Sequence, residues 1–537
     1  MILISNWIDL KMEKNRLLFL PFILGLIFMV YSWYTIYPLS VNSVDDVIFN
    51  NIPIWYWISL PLLLIPMCIM SIRFKNKYLK FAMVLGCLLA LYSLSYFYYT
   101  LPGSDSQYFR GLEEYFIREQ SLDLSQISHR YYQWPSFFIL AKIVTSVTGI
   151  DLINYEFLLF AIIGFLLSSS LFVIASTSKI HTKGSSLAPI VFFVAVFYFL
   201  NYQVAPFSLA FGIFFILLML ETQKKNTNTV VLMILLFSSL IITHVFVPLF
   251  FVLYLLIRTI ISREKEYFRY FMLSLILYFL LQITLAQNSF VGNIINIMNF
   301  GSDYSTIVSS TFAPVLSSFD VIAQTFSRGV TVAFVMICFV GFILMILKRR
   351  LREMDKAIFL TGFVYSGLGA LLYTLGSRAI PLVFIPISLG LLYFYESKIR
   401  RYLIFSVLFL LLLVVFIPIH TSFDDTPLTF QTNEELTISN YLLENYNWPL
   451  YSTIISDNGI KWYLYSQIQG KSEIDSVFSA RFGLLNITNY DCIVYSIGLE
   501  KTLKRGNFSL EFISQQINSL HNRMYDSGFS YITTKAH

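Results

Sequence analysis

Between two long apolar segments, residues 101–153 carry Asp105, Tyr108, Arg110, Glu113, Glu114, His129, Arg130, Tyr132 and Trp134. Two more ionisable residues stand far downstream beside apolar runs: His244 in "ITHVFVPLF" and Arg378 in "LGSRAIP". These types suit two kinds of chemistry. A carboxylate or an imidazole can take a proton, and a planar guanidinium can hold an anion through two parallel hydrogen bonds. In a chain this apolar such groups are costly unless they are paired or functional. Each also has a plain structural reading. Asp105 in "SDSQ" fits an ordinary helix N-terminus. Glu113 and Glu114 share a helix with Tyr108, Phe109, Leu112, Tyr115 and Phe116 at helical spacing. That pattern describes an amphipathic helix on the bilayer, with the glutamates on its solvated side. His129 can anchor at the interface, His244 can be a satisfied buried histidine, and Arg378 can snorkel to headgroups. Asp45 and Asp46 read as solvated.

The elements that must position these residues are membrane helices. The chain is 57% hydrophobic, 18% aromatic and only 13% charged. Apolar runs long enough to cross roughly 30 Å of hydrocarbon recur from Leu17 to Ile419. The expected spans are 17–37, 53–72, 80–100, 154–176, 187–200, 204–221, 229–244, 246–261, 267–286, 329–347, 357–375, 379–395 and 402–419. The fold class is thus an α-helical polytopic membrane protein with about thirteen transmembrane helices. Pro248 and His244 favour a turn within 229–261 over one long helix. Residues 17–37 read as a retained helix rather than a cleaved signal. The net charge of +6 needs no nucleic acid to explain it. Cys68, Cys87 and Cys338 lie in apolar segments and Cys492 alone in a hydrophilic one, so no disulfide framework or metal-thiolate spacing is present.

Lysines and arginines concentrate in "RFKNKYLK" (73–80), "SKIHTKG" (178–184), "TQKKN" (222–226), "REKEYFR" (263–269), "KRRLREMDK" (348–356) and "SKIRR" (397–401). They fall on one side only if residues 134–149 do not cross. That segment, roughly 22 Å as a helix, is expected to lie along the outer surface. The N-terminus is then cytoplasmic, and the C-terminus and the 101–153 loop are outside the plasma membrane. After Ile419 the chain turns hydrophilic. Helix-like 433–446 and 510–525 alternate with strand-like 450–456 and 491–496, as in a small α/β extracytoplasmic domain without a phosphate-binding glycine loop. The resulting division is 1–79 (additional helices), 80–419 (transmembrane catalytic domain) and 420–537 (outer domain).

The first outer loop resembles that of GT-C superfamily glycosyltransferases, in an archaeal-type form. The matching features are Asp105, Tyr108, a helix over 107–119, Trp134-Pro135 and a short apolar helix ending at Gly149. "GSRAIPLVFIPISLGLLY" (376–393) resembles the late Arg-containing span of the superfamily. "NYQVAPFSLAFGIFFILL", "ITHVFVPLFFVLYLL" and "NRMYDSGFSYI" (522–532) resemble other segments of archaeal members. The resemblance implies a polyprenyl (dolichyl-type) phosphate-linked sugar donor, an outward-facing site, and a glycan, lipid or protein acceptor. Asp105 would then be the general base and Arg378 the partner of the donor phosphate, with His244 beside it. Tyr108, His129, Arg130, Tyr132 and Trp134 are the candidate substrate contacts. Ser106 departs from the pattern, because many members carry a second acid there. That weakens a paired-acid metal site; no cofactor is expected, with a divalent metal as the alternative that no paired-acid motif supports. A lipid-linked oligosaccharide polymerase or ligase, with loop 287–328 in the leading role, is the alternative enzyme. A lipid or polysaccharide transporter is the non-enzyme alternative. It is disfavoured by mid-membrane spans that lack charges and by ionisable groups gathered at one face.

Overall fold

The computed structural model of the 537-residue chain describes residues 16–36, 52–73, 76–92, 104–118, 130–177, 188–189, 192, 204–223, 226–287, 335–348, 351–371 and 382–390. It also describes the strand segments 453–456, 473–476, 492–495, 521–526 and 531–535. The described part is mostly helical. Its helices are α1 (Arg16–Ile36), α2 (Ile54–Arg73), α3 (Lys77–Tyr92), α4 (Ser104–Arg118), α5 (Ser136–Thr148) and α6 (Leu152–Ser176). They continue with α7 (Pro206–Glu221), α8 (Thr227–Thr243), α9 (Val247–Ser262), α10 (Lys265–Leu285), α11 (Val335–Leu347), α12 (Glu353–Leu371) and α13 (382–390).

Helix ends follow local chemistry. Asp151 caps α6 by accepting from the Asn154 amide at 2.7 Å, and Asn226 caps α8 through the Thr229 amide at 2.8 Å. Proline opens α7 and α9, where its missing N–H costs nothing. Gly149 ends α5 in the left-handed region at φ 71°. α8 and α9 are separate helices, broken at His244, whose backbone is extended. The expected turn within 229–261 is present.

Two described helices, α6 (25 residues) and α10 (21 residues), are long and apolar enough to cross a membrane, and eight apolar helices are shorter. The expected span 402–419 and most of 187–200 lie outside the described residues. α10 leaves Phe268, Met272, Leu273, Ile276, Phe279, Leu280 and Ile283 exposed along its length, and α1 does the same with Leu20, Ile23, Leu24, Ile27 and Val30. Apolar surfaces of this extent are rare facing water and ordinary facing lipid. Close helix contact elsewhere depends on glycine. A Cβ on Gly362 of α12 would stand 2.7 Å from the Val383 amide nitrogen, and one on Gly390 would meet the backbone of Cys338 and Phe342.

Contacts define the two ends of the bundle. At one end Phe81, at the start of α3, stacks on Phe172, near the end of α6. Thr177, just after α6, accepts from Arg352 at 3.0 Å. Glu221 at the end of α7, Arg258 near the end of α9, Tyr267 at the start of α10 and Glu353 at the start of α12 form one network. Four of the basic segments, 73–80, 222–226, 263–269 and 348–356, have described residues at these helix ends. The other two, 178–184 and 397–401, are outside the described residues. The starts of α6, α7 and α9 and the end of α10 lie at the other end.

The strands β1 (Thr453–Ser456), β2 (Glu473–Ser476), β3 (Cys492–Tyr495), β4 (His521–Asp526) and β5 (Tyr531–Lys535) form one mixed sheet in the order β2-β1-β3-β5-β4. β1 runs parallel to β2 and β3, and β5 antiparallel to β3 and β4. β1 and β3 coincide with the strand-like stretches of the sequence. The helix expected over 510–525 is corrected at its end. Residues 521–526 pair with 531–535, across a Ser-Gly that favours a turn, so strand pairing overrides the local helical pattern. Helices expected at 433–446 and before 521 fall outside the described residues.

Candidate functional site

α4 is the element that carries Asp105, and most of its described residues are buried. Phe109, Leu112 and Phe116 form an apolar stripe buried against the 3-10 turn Arg130–Gln133 and α5. Ser106, Arg110 and Glu113, at i, i+4 and i+7, form a second stripe that is polar and also fully buried. Ser106 Oγ accepts from the Val204 amide at 3.2 Å, just before α7. Arg110 donates twice to one oxygen of Glu156, in the first turns of α6, and the Nε contact measures 3.0 Å. The expectation of solvated glutamates is thus corrected for Glu113, which has no exposed surface; Glu114 is half-buried. The solvated side assigned to α4 faces the starts of α6 and α7 instead of water.

Glu113 faces the Arg110–Glu156 pair. Burial first, then the charge of Glu156, hold its carboxyl well above the usual carboxylate range against the opposing pull of Arg110. Neither of its oxygens has a hydrogen-bond partner among the described residues, nor does Oε1 of Glu156.

His244 caps α8 and is 6% exposed. Its Nδ1 accepts from the Phe246 amide at 3.1 Å, which leaves Nε2 to carry the proton of the neutral ring. The imidazole stands edge-on to Phe207 in the first turn of α7, with centroids 5.5 Å apart. Trp134 packs with Val245, Phe246 and Ala286 and donates from Nε1 to Gln282 at 3.2 Å. The Tyr278 hydroxyl donates to the Val245 carbonyl at 3.2 Å. Residues far apart in sequence therefore meet at one end of the bundle: the first turn of α4 through Ser106 and Val204, the start of α7 through Phe207, the turn bearing His244, and Trp134.

The other expected contacts are placed as follows. Tyr132 is buried and donates to the Leu112 carbonyl at 2.8 Å, so its ring and hydroxyl hold α4. Tyr108 is half-buried against Tyr131 and Phe109. Asp105 lies in the first turn of α4 and Arg130 in the 3-10 turn; their side chains are outside the description, as are His129 and Arg378 entirely. Among the described residues no group of three or more His, Cys, Asp or Glu could hold a metal ion.

Two features escaped the sequence reading. One is Glu156, the sole charged residue in the apolar run 152–176. A lone acid in a span requires a partner, and that is the signal that could have exposed the pair with Arg110. The other is the network at the opposite end. Arg258 bridges Glu221 at 3.4 Å and Glu353, lies 4.6 Å over the Tyr267 ring, and is backed by Tyr267 donating to Glu221 at 2.9 Å. Arg352 pairs with Asp355 at 2.8 Å and reaches the Ile174 carbonyl at 3.1 Å. Buried ionisable groups are therefore not confined to one face, which corrects that part of the sequence reading. At this end they bond to one another.

No family model and no curated protein matches the chain. Among solved structures, the chain is similar to the crystal structure of ArnT from Cupriavidus metallidurans bound to undecaprenyl phosphate. The TM-score is 0.49 and the identity 12%, over 86% of this chain and 98% of that one. The apo state of the same protein gives a TM-score of 0.47 and 11% identity, over 85% of this chain and 97% of that one.

Proposed function

We propose that the chain is a membrane glycosyltransferase that moves a sugar from a polyprenyl phosphate to an acceptor at the outer face. Asp105 takes the proton of the acceptor hydroxyl and Arg378 holds the donor phosphate. The observation that carries this reading is the convergence of the Asp105 helix turn, the His244 turn and Trp134 at one end of the bundle. The first-loop pattern of Asp105, Tyr108 and Trp134-Pro135 supports it. So does the pairing of Arg258 and Arg352 with acidic partners at the opposite end. A transporter needs a polar path between the two ends; a transferase needs only one open end.

In this reaction the acceptor oxygen attacks the anomeric carbon while the bond from that carbon to the phosphate oxygen breaks. The acceptor proton passes to Asp105 and the negative charge grows on the departing polyprenyl phosphate. A guanidinium stabilises that charge more than it stabilises the donor. His244, with its Nε2 proton, can donate to the same phosphate. Asp105→Asn keeps the shape but removes the base. Transfer should fall about 10²–10⁴-fold, with polyprenyl phosphate affinity largely kept. Arg378→Ala should lose affinity as well, by about 1.5–3 kcal/mol, and Arg378→Lys should recover only part of it. Near-normal turnover in Asp105→Asn would reduce Asp105 to a residue of the helix N-terminus.

A further inference from the structure

We propose that Arg110, Glu113 and Glu156 form a positioning triad in which the two carboxyl groups share one proton, docking α4 onto α6 and fixing the turn that carries Asp105. The geometry requires a proton. Arg110 and Glu156 are both fully buried and neutralise each other. A charged Glu113 beside them would be an uncompensated buried anion, which proteins avoid by protonation. Four oxygens of this cluster lack partners among the described residues: both of Glu113, Oε1 of Glu156 and the Tyr155 hydroxyl. If Glu113 carries the proton and donates it to Oε1 of Glu156, the hydroxyl and that acceptor are satisfied together. Arg110 already occupies the other oxygen of Glu156. The groups facing Glu113 are Arg110 and Glu114 from its own helix and Glu156 and Tyr155 from α6.

The triad has a mechanical consequence. α4 is also tied by Ser106 to Val204, by Tyr132 to the Leu112 carbonyl and by Lys142 to the Phe116 carbonyl at 3.4 Å. None of these three ties involves a group that ionises near neutral pH. The triad does, so docking of α4 depends on pH. Docked Glu113 has a raised pKa. Docking is therefore complete below the ordinary glutamate range of about 4.3 and weakens as pH rises towards the docked value. Within that window each α4 opening releases up to one proton, so the opening equilibrium rises by up to about tenfold per pH unit. The assignment of Asp105 rests on the transferase reading; the docking itself does not.

The test uses the full-length protein in lipid nanodiscs. Hydrogen exchange of residues 104–118 is followed from about pH 5 to about pH 7 and corrected for intrinsic rates, with α10 as internal reference. The wild type should show α4 opening that grows with pH, by up to about tenfold per unit, relative to α10. Glu113→Gln, which keeps the hydrogen-bonding amide but cannot ionise, should show no such slope. A flat wild-type profile, or an unchanged slope in Glu113→Gln, overturns the triad; the wild-type profile decides alone if the variant does not fold. Binding of undecaprenyl phosphate to the wild type is measured on the same sample. The expected slope without lipid binding would overturn the transferase reading and leave the triad standing. Binding with flat exchange would do the reverse.

Discussion

A buried ion pair is an asymmetric dependency. Glu156→Ala removes the carboxylate that accepts from Arg110 in a site with no exposed surface, at a cost of up to about 3–5 kcal/mol, reduced to the extent that Glu113 ionises in its place. Replacing both members, Arg110→Met with Glu156→Leu, should cost far less or even stabilise, because the desolvation penalty disappears with the charges. Thermal unfolding of the single and double variants in one detergent checks this. A single variant as stable as the wild type would remove the pair from the account. The sequence held half of this information. The i, i+4, i+7 spacing of Ser106, Arg110 and Glu113 was visible, and so was a lone acid at Glu156. Their meeting was not, because the sequence separation of 46 between Arg110 and Glu156 sets no distance until α4 packs on the start of α6.

Among elements, those whose ends are set by their own residues were legible. Asp151, Asn226, Gly149 and the helix-opening prolines mark boundaries close to the expected ones. Elements decided by partners were not. The surroundings of α4 reversed the reading of Glu113, and β4 took its conformation from pairing with β5. Two variants test the local devices. Asp151→Ala removes the side-chain acceptor of the Asn154 amide and should cost about 1 kcal/mol, with Asp151→Ser recovering most of it. Gly362→Ala places a methyl group 2.7 Å from the Val383 nitrogen, so α12 and 382–390 must move apart, at about 1–3 kcal/mol. Unchanged unfolding midpoints in both would show that these contacts do not limit stability.

For the whole molecule, the gathering of four basic segments with described residues at one end and of Ser106, His244 and Trp134 at the other gives the chain a direction. By the positive-inside rule the basic end is expected to face the cytoplasm. Single cysteines at the exposed positions 177, 223 and 263 should then react with a membrane-impermeant thiol reagent only after the cytoplasmic side is opened. Cysteines at 149 and 151 should react in intact cells. The reverse pattern would place the candidate site inside and end the outer-face reading. The central claim, one site shared by Asp105 and Arg378, is tested most directly by a cryo-EM structure of the wild-type protein with undecaprenyl phosphate. The account predicts the phosphate within about 3 Å of the Arg378 guanidinium, in a cavity that also receives the Asp105 carboxylate, at the end of the bundle where His244 lies. Side chains of Asp105 and Arg378 more than about 15 Å apart, with no cavity joining them, would contradict it, because no single bound donor could bridge them through hydrogen bonds of about 3 Å.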